Sequence, residues 1–513
     1  MFKKSIIHKQ IDLFTSHGTM MSGREAKHFS DSKAWHNQFF RNVTSNIDEE
    51  VFAPLFSSGK DKGKDGRPNA SVRVLVGMMI LKEGVGCSDE QLYECCQYHA
   101  LYRAALGLVN MDDDLPSLSS YYNLRRAICE YEEQHNVNLF DKCFKSITKA
   151  QAIEYKVTGK SVRMDSKLIS SNIAWCSRYE IIHATFVKCV SKDDAMMLES
   201  QMERQQALEL LGEDATKTVF HTGSEALSNR LLMLGIIIDH ILALNPNGMD
   251  LLRRVFNEQF EKAGDGAVSV RDKKSISADS VQNPNDPDAG YRSKGGKKTK
   301  GFVTNITETT DREAAPSLIT DVQVEKATTA DNTFVRQGIE GTKEVTGTDV
   351  EKVHADGAYQ SEANRKLAAS ETDGFEFVAN GIQGKKSRFD LMLEDDGTLA
   401  VTDKATGEKV EVLTTRSGNK WKTRVFNKKG EHVWRYFDHD TIERARVRRE
   451  VEAISIEERN KRNNVEASIF QYCFHTRNNK TRYRGLFKHT MQALARCAWI
   501  NMRRLFLFDL QLA

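Results

Sequence analysis

The first clear pattern of apolar and polar positions is helical: over residues 69–81 (NASVRVLVGMMIL) a capping-type Asn69 precedes an almost unbroken apolar run, which predicts a mostly buried helix. A second helix is expected from Ser88, with Gln91 three residues on in capping-box spacing and Leu92, Cys95 and Cys96 facing inward. Beyond LVNMDDDLP, Ser117 or Ser119 caps a third, carrying Tyr122, Leu124, Arg125 and Arg126. Three short helices ending in paired arginines fit a helix-turn-helix-like DNA reader, with Arg125 and Arg126 as contacts. They fit equally an ordinary helical bundle with surface arginines.

The rhythm changes near Lys156. VTGKSVRMDSKLIS turns at Gly159 and then carries β-branched residues in alternation, predicting a strand that ends at or just after Asp165. Residues 193–263 return to helical spacing, including the apolar run LLMLGIIIDHILAL. That run is too short to span a bilayer and holds Asp239 and His240, so a buried helix is expected. A turn-rich basic loop, QNPNDPDAGYRSKGGKKTKG, leads into two strand-like runs, FVTNITET and SLITDVQVEKA. KVHADGAY reads as a short strand ending at Asp356, followed by a helix from Ser361 and a strand at GFEFVAN. Alternating segments between Gly turns over 385–440 form a β-rich insertion, and a charged helical stretch then reaches Glu466.

Composition narrows the class. The chain has 513 residues, 40% hydrophobic and 28% charged, enough for two or three folding units and unlike a disordered protein. A net charge of +3 gives no global field, so any affinity for a polyanion must come from local patches. Nine cysteines lack a CxxC pair or zinc-type spacing, which fits a reduced protein of the cytoplasm. The N-terminus lacks a long apolar segment and a small-residue cleavage site, so no secretory signal is expected.

The candidate chemistry lies in three carboxylates. Glu466 stands alone between Arg459, Lys461 and Arg462 on one side and Arg477, Lys480, Arg482, Arg484 and Lys488 on the other. Asp165 and Asp356, each at an expected strand end, could join it, because strand ends in an open α/β sheet gather residues far apart in sequence. Three such carboxylates repel one another and call for hard divalent cations such as Mg²⁺. Taken singly, each has a plainer role: a helix cap, a turn former, a counter-charge.

The wording of these segments resembles a known family. MDSKLISSNIAW, NPNDPDAGYRSKGGKKTKGFVTNIT, VHADGAYQSEANRK and NNVEASIF…RYRGLFKHTMQALARCAWINMRRL resemble, in that order, the catalytic core of DDE transposases of bacterial insertion sequences. GRPNASVRVLVGMMILKEGVGCSDEQLYECCQYHALYRAALGL with LPSLSSYYNLRR resembles their helical N-terminal domain. The resemblance implies an α/β, ribonuclease-H-like mixed sheet with a helical insertion (about 193–263) and a β-rich insertion (about 385–440). A helical domain at 1–150, with a DNA-end-binding role, would precede a catalytic domain at 151–513. It implies Asp165, Asp356 and Glu466 as catalytic ligands of two Mg²⁺ ions, for which Mn²⁺ can substitute.

The activity implied is cleavage at element ends and strand transfer into target DNA, with double-stranded DNA as partner, a homodimer on paired ends, no membrane, and a bacterial, nucleoid-associated location. Lys294, Lys297, Lys298, Lys300, Arg462, Arg482, Arg484 and Lys488 are the expected DNA contacts. Arg462 fits the Arg of a Y-(2)-R-(3)-E-(6)-K signature seen in related transposases, but Arg459 and Cys473 replace its Tyr and Lys, leaving Lys480 or Lys488 as stand-ins. Trp175 and Trp499, among apolar neighbours, are expected in the core rather than stacked on a base. A metal-dependent nuclease of the same fold and a non-catalytic DNA-binding derivative are the alternatives.

Overall fold

The computed structural model describes residues 2–7, 10–56, 68–245, 247–310, 315–370, 374–379, 381, 387–410, 415–417, 420–427 and 430–511. Helices fill the N-terminal third. Val72–Val85 begins two residues later than expected, because Ser71 rather than Asn69 caps it, accepting the Val74 N–H (3.2 Å). Asp89–Tyr98 carries the expected capping box, with Ser88 and Gln91 bonding reciprocally at 3.0 and 3.1 Å. Ser117 caps Leu118–His135, which at 18 residues is longer than the short helix expected, and Ala100–Ala105 intervenes before it.

The main sheet has six strands: β1 (Ser161–Ser170), β2 (Gly290–Lys294), β3 (Lys297–Thr309), β4 (Ile319–Lys326), β5 (Lys352–Ala355) and β6 (Glu376–Ala379). Their order is β2-β3-β1-β5-β6, with β4 sharing the outer side of β3. β3 runs antiparallel to β1, β2 and β4, whereas β5 and β6 run parallel to β1. The chain is therefore a mixed α/β protein with a helical N-terminal region.

Two sequence expectations fail here. β1 continues five residues beyond Asp165, because the long β3 supplies ladder partners as far as Ser170↔Gly301. The basic segment is not a loop but the β2–β3 hairpin, turned at Gly295 and Gly296, both at positive φ (57° and 78°). A two-glycine turn of that hand suits the twist of paired strands.

Alternation along β1 sorts its side chains. Val162 and Met164 enter a core with Val303, Val335 and Val353 on one face. Arg163, Asp165 and Ile169 point to the other, where Phe302, Ile306 and Ile319 share a core with the N-terminal helices and with Leu494 and Ile500 of the C-terminal helix Leu486–Gln511. That helix seats closely on Val72–Val85: a Cβ on Gly84 would stand 2.2 Å from the Trp499 ring.

The helical insertion between β1 and β2 has its own core, centred on Ile182, Phe186, Leu234 and Ile238. Its helix Ser224–Leu244 is longer than the apolar run, and by length and composition alone could span a membrane. Instead Leu234, Ile237, Ile238 and Ile241 are buried, and Asp239 pairs with Lys262 at 2.7 Å. The β insertion forms the hairpin Phe389–Leu393/Leu399–Asp403 and a sheet of Thr415–Ser417, Lys420–Phe426 and His432–Asp438 around Trp421 and Phe437. The alternating segment over 405–413 lies partly outside the described residues.

Candidate functional site

Asp165 stands mid-strand on β1, and Asp356 immediately follows β5. The parallel register pairs Arg163 with His354, so two residues further on the two aspartates lie level on neighbouring strands. The Asp165 Oδ1 accepts the Ser166 N–H (3.0 Å) and the Asp356 Oδ1 accepts the Ala358 N–H (2.6 Å), which fixes both carboxylates on the backbone. Glu466 lies in the first turn of the helix Asn463–Cys473, where the helix dipole favours negative charge.

One side chain joins all three. Arg462 Nη2 lies 3.2 Å from Asp165 and 4.0 Å from Asp356, while its Nη1 lies 3.7 Å from Glu466. Its side chain is only 14% exposed; those of Asp165, Asp356 and Glu466 are 16%, 31% and 64% exposed, so the cluster opens to solvent on the Glu466 side. Burial pushes the Asp165 carboxyl above its ordinary range, with the neighbouring Asp356 adding to it and Arg462 opposing.

Among the described residues no three His, Cys, Asp or Glu side chains stand close enough to share one metal ion, since the guanidinium fills the space between the carboxylates. The donors are carboxylate oxygens, the kind a hard divalent cation takes, but here they are gathered around the Arg462 guanidinium, which occupies the place a cation would fill.

A buried network holds the acidic helix against the sheet. Arg163, one pleat before Asp165, bonds Glu308 on β3 (2.5 Å) and the Lys461 carbonyl (3.3 Å) just before Arg462. Glu308 also receives Arg504 of the C-terminal helix (2.8 Å) and the Ser468 hydroxyl (2.5 Å). Burial alone would push the Glu308 carboxyl up, but Arg504 and Arg163 with Ser468 hold it below the ordinary range. Sequence reasoning missed this network, because Glu308 and Ser468 sit in apolar alternation with nothing local to mark them.

A second acidic group lies behind the sheet. Lys145 reaches Asp141 (3.3 Å) and Glu344 (3.0 Å), and the fully buried Asp321 nearby is pushed up to about 7 by its burial and by Asp141, against the pull of Lys145.

The expected DNA contacts separate into two kinds. Arg126, Lys297, Lys298, Arg484 and Lys488 are exposed, whereas Arg125 is tied to Asp89 (3.2 Å) and lies against Tyr121. Lys294 lies 3.8 Å from Asp331 and Arg484 donates to the Asn172 carbonyl (2.7 Å). Arg482 donates to the Cys87 carbonyl (2.7 Å), and Lys480 to that of Ile173 (3.1 Å). Lys300 is buried with its ammonium 4.8 Å from the Trp175 ring centre. Trp499 packs against Phe39 and Trp35 as expected, but Trp175 is 57% exposed, because the chain leaves the sheet after β1 and only the Lys300 stem covers the ring. All nine cysteines are free thiols, and burial raises the Cys473 thiol to about 11, so at that position of the signature no cation is available.

Beside Gly357 a groove of ≈ 1210 Å³ opens between the helix Glu362–Ala368, the edge of the β insertion and the helix His439–Ala453, with Arg365, Arg444 and Arg449 among its walls.

Residues 28–127 match the family described as "Transposase domain (DUF772)". No curated protein matches the chain significantly. Among solved structures, the chain is similar to the piggyBac transposase in a cryo-EM synaptic complex with hairpin DNA, at a TM-score of 0.31 and 8% identity, over 95% of this chain and 78% of that one. The sequence resemblance to transposases thus meets an independent match in its helical region, where residues 28–127 are similar to a transposase domain.

Proposed function

We propose that the chain is a DDE-type transposase that cuts DNA at the ends of an insertion sequence and joins them to target DNA. The observation that carries this is the convergence of Asp165, Asp356 and Glu466 on the single Arg462 guanidinium, each within 4.0 Å of it. The strand order, with one antiparallel neighbour of β1 on one side and parallel strands on the other, supports a ribonuclease-H-like core. The transposase domain at 28–127 supports the same assignment.

Asp165, Asp356 and Glu466 would hold divalent metal, Mg²⁺ by the hardness of their oxygens, in one- or two-ion occupancy. When bound, that metal supplies activation of water and neutralisation of charge on the phosphate. The protein's own part is positional. Fixed by backbone hydrogen bonds, the aspartates define where the scissile phosphate lies, and the exposed Lys297, Lys298, Arg484 and Lys488 attract and register the DNA backbone. Hydrolysis breaks the P–O bond to the 3′ oxygen and leaves a 3′-hydroxyl, which then displaces a 3′ oxygen in target DNA; no protein–DNA covalent bond is needed.

Asp165→Asn, Asp356→Asn and Glu466→Gln are each expected to abolish Mg²⁺-dependent cleavage and joining of an end-bearing duplex while duplex binding persists. Near-wild-type activity in any one of them removes that residue from the site. Cleavage without any strand-transfer product from a precut end would make the protein a nuclease instead.

A further inference from the structure

The face of the helix Asn463–Cys473 that carries Glu466 continues as aromatic surface. Phe470 and Phe474 follow at four-residue intervals, 69% and 64% exposed, with ring centres 6.4 Å apart. From Glu466 to Phe474 the helix rises about 12 Å. Two bare aromatic rings beside a charged cluster are costly to leave in water and need an occupant.

Phe474 in turn meets the His475 ring, their centres 5.1 Å apart, and His475 belongs to a cationic pocket. Beyond Phe474, a pocket of ≈ 610 Å³ is lined by Trp175, Lys298, Lys300, His475, Arg477, Lys480 and Arg482, and no carboxylate lines it. The pocket is built rather than incidental. Ser170 at the end of β1 bonds the Asn479 carbonyl (2.7 Å) and the Thr481 N–H (3.0 Å), so the loop after the acidic helix is stitched to the strand that carries Asp165. Lys480 and Arg482 are spent on backbone carbonyls, but Lys298 and Arg477 make no ion pair among the described residues and stand exposed at its rim. Lys300 lies against the Trp175 ring, which stays 57% exposed.

We propose that this surface is a track for an unpaired DNA strand, running from the carboxylates over Phe470 and Phe474 into the pocket at Trp175. Separated aromatic platforms interleaved with cations suit single strands, because every base has a face to stack and every nucleotide a phosphate to pair, whereas a duplex hides its base faces. The proposal rests on DNA being the substrate; it adds that the enzyme holds one strand of the opened end away from its complement.

The test measures binding, not cleavage, with the full-length protein and two probes of one length, fluorescent oligo(dT) and a duplex. Trp175→Ala and Phe474→Ala are each expected to weaken oligo(dT) binding about tenfold, the loss of one stacked base, and to leave duplex binding within about twofold. Trp175→Phe should keep most of the affinity. Arg477→Ala should lower the salt dependence of oligo(dT) binding by about one released counterion. Equal losses on both probes, or no loss on oligo(dT), overturn the track while leaving the carboxylate site untouched. A wild-type protein that binds neither probe overturns both the track and the DNA-directed function.

Discussion

Two charge clusters lie one pleat apart on β1 and are built to opposite ratios. At Arg163, one carboxylate, Glu308, faces two guanidiniums and is completely buried. At Asp165, three carboxylates face one guanidinium and open to solvent. The first is closed, its single carboxylate answered twice over inside the protein, and so it serves to fasten the sheet to the acidic and C-terminal helices. The second is left short of positive charge at an accessible place. A protein tolerates such a deficit where something from solution completes it. The Asp141–Asp321–Glu344 group around Lys145 has the same three-to-one ratio, but there the innermost carboxylate, Asp321, is fully buried and its pKa is pushed up to about 7, which reduces the charge the protein must hold inside.

The comparison breaks most visibly through Glu308. Glu308→Gln keeps the shape but strands two guanidiniums, and is expected to cost about 3–5 kcal/mol of stability, read as a lower urea midpoint. Glu466→Gln, at an exposed position, should move that midpoint by no more than about 0.5 kcal/mol. If the two variants lose stability equally, the division between fastening and functional clusters is wrong.

Arg462→Ala sharpens the second half. In metal-free buffer the bare carboxylates should lower stability by about 1–2 kcal/mol, and millimolar Mg²⁺ should restore most of it by mass action. Thermal unfolding with and without Mg²⁺ reads this directly. A variant whose melting ignores the ion would show that the carboxylates do not collect cations.

The smallest effect belongs to Asp321. Its folded pKa, about 7, lies above its unfolded value, so the stability tied to the protonated form is complete below about pH 4 and is lost as pH rises through 7. Asp321→Asn should therefore flatten the decline in melting temperature between about pH 4 and 7. An unchanged slope would mean that Asp321 is not the group that titrates.

Much of this was legible from the chain alone, and the exceptions share a cause. The capping box at Ser88, the short strand just before Asp356 and the helix bearing Glu466 are local patterns, and each stands where the sequence pattern put it. The end of β1 is not local, since Ser166 to Ser170 are strand only because β3 extends alongside them. The hairpin at Gly295–Gly296 was hidden by its own lysines, which resemble a solvated loop until the turn chemistry is weighed. Trp175 was misplaced for the reverse reason, its apolar neighbours concealing an exposed ring. Arg462 was read as a contact for DNA, and only the tertiary arrangement shows it turned inward on three carboxylates.

The tight seat of Gly84 beneath Trp499 has a further consequence. The C-terminal helix is packed at once against the N-terminal helices and against the sheet, in one continuous core. Close-packed interiors do not flex by fractions of an ångström. The N-terminal helices and the strand that carries Asp165 are therefore held at one fixed offset: the C-terminal helix acts as a splint between them, and a side chain at Gly84 would force it off its seat.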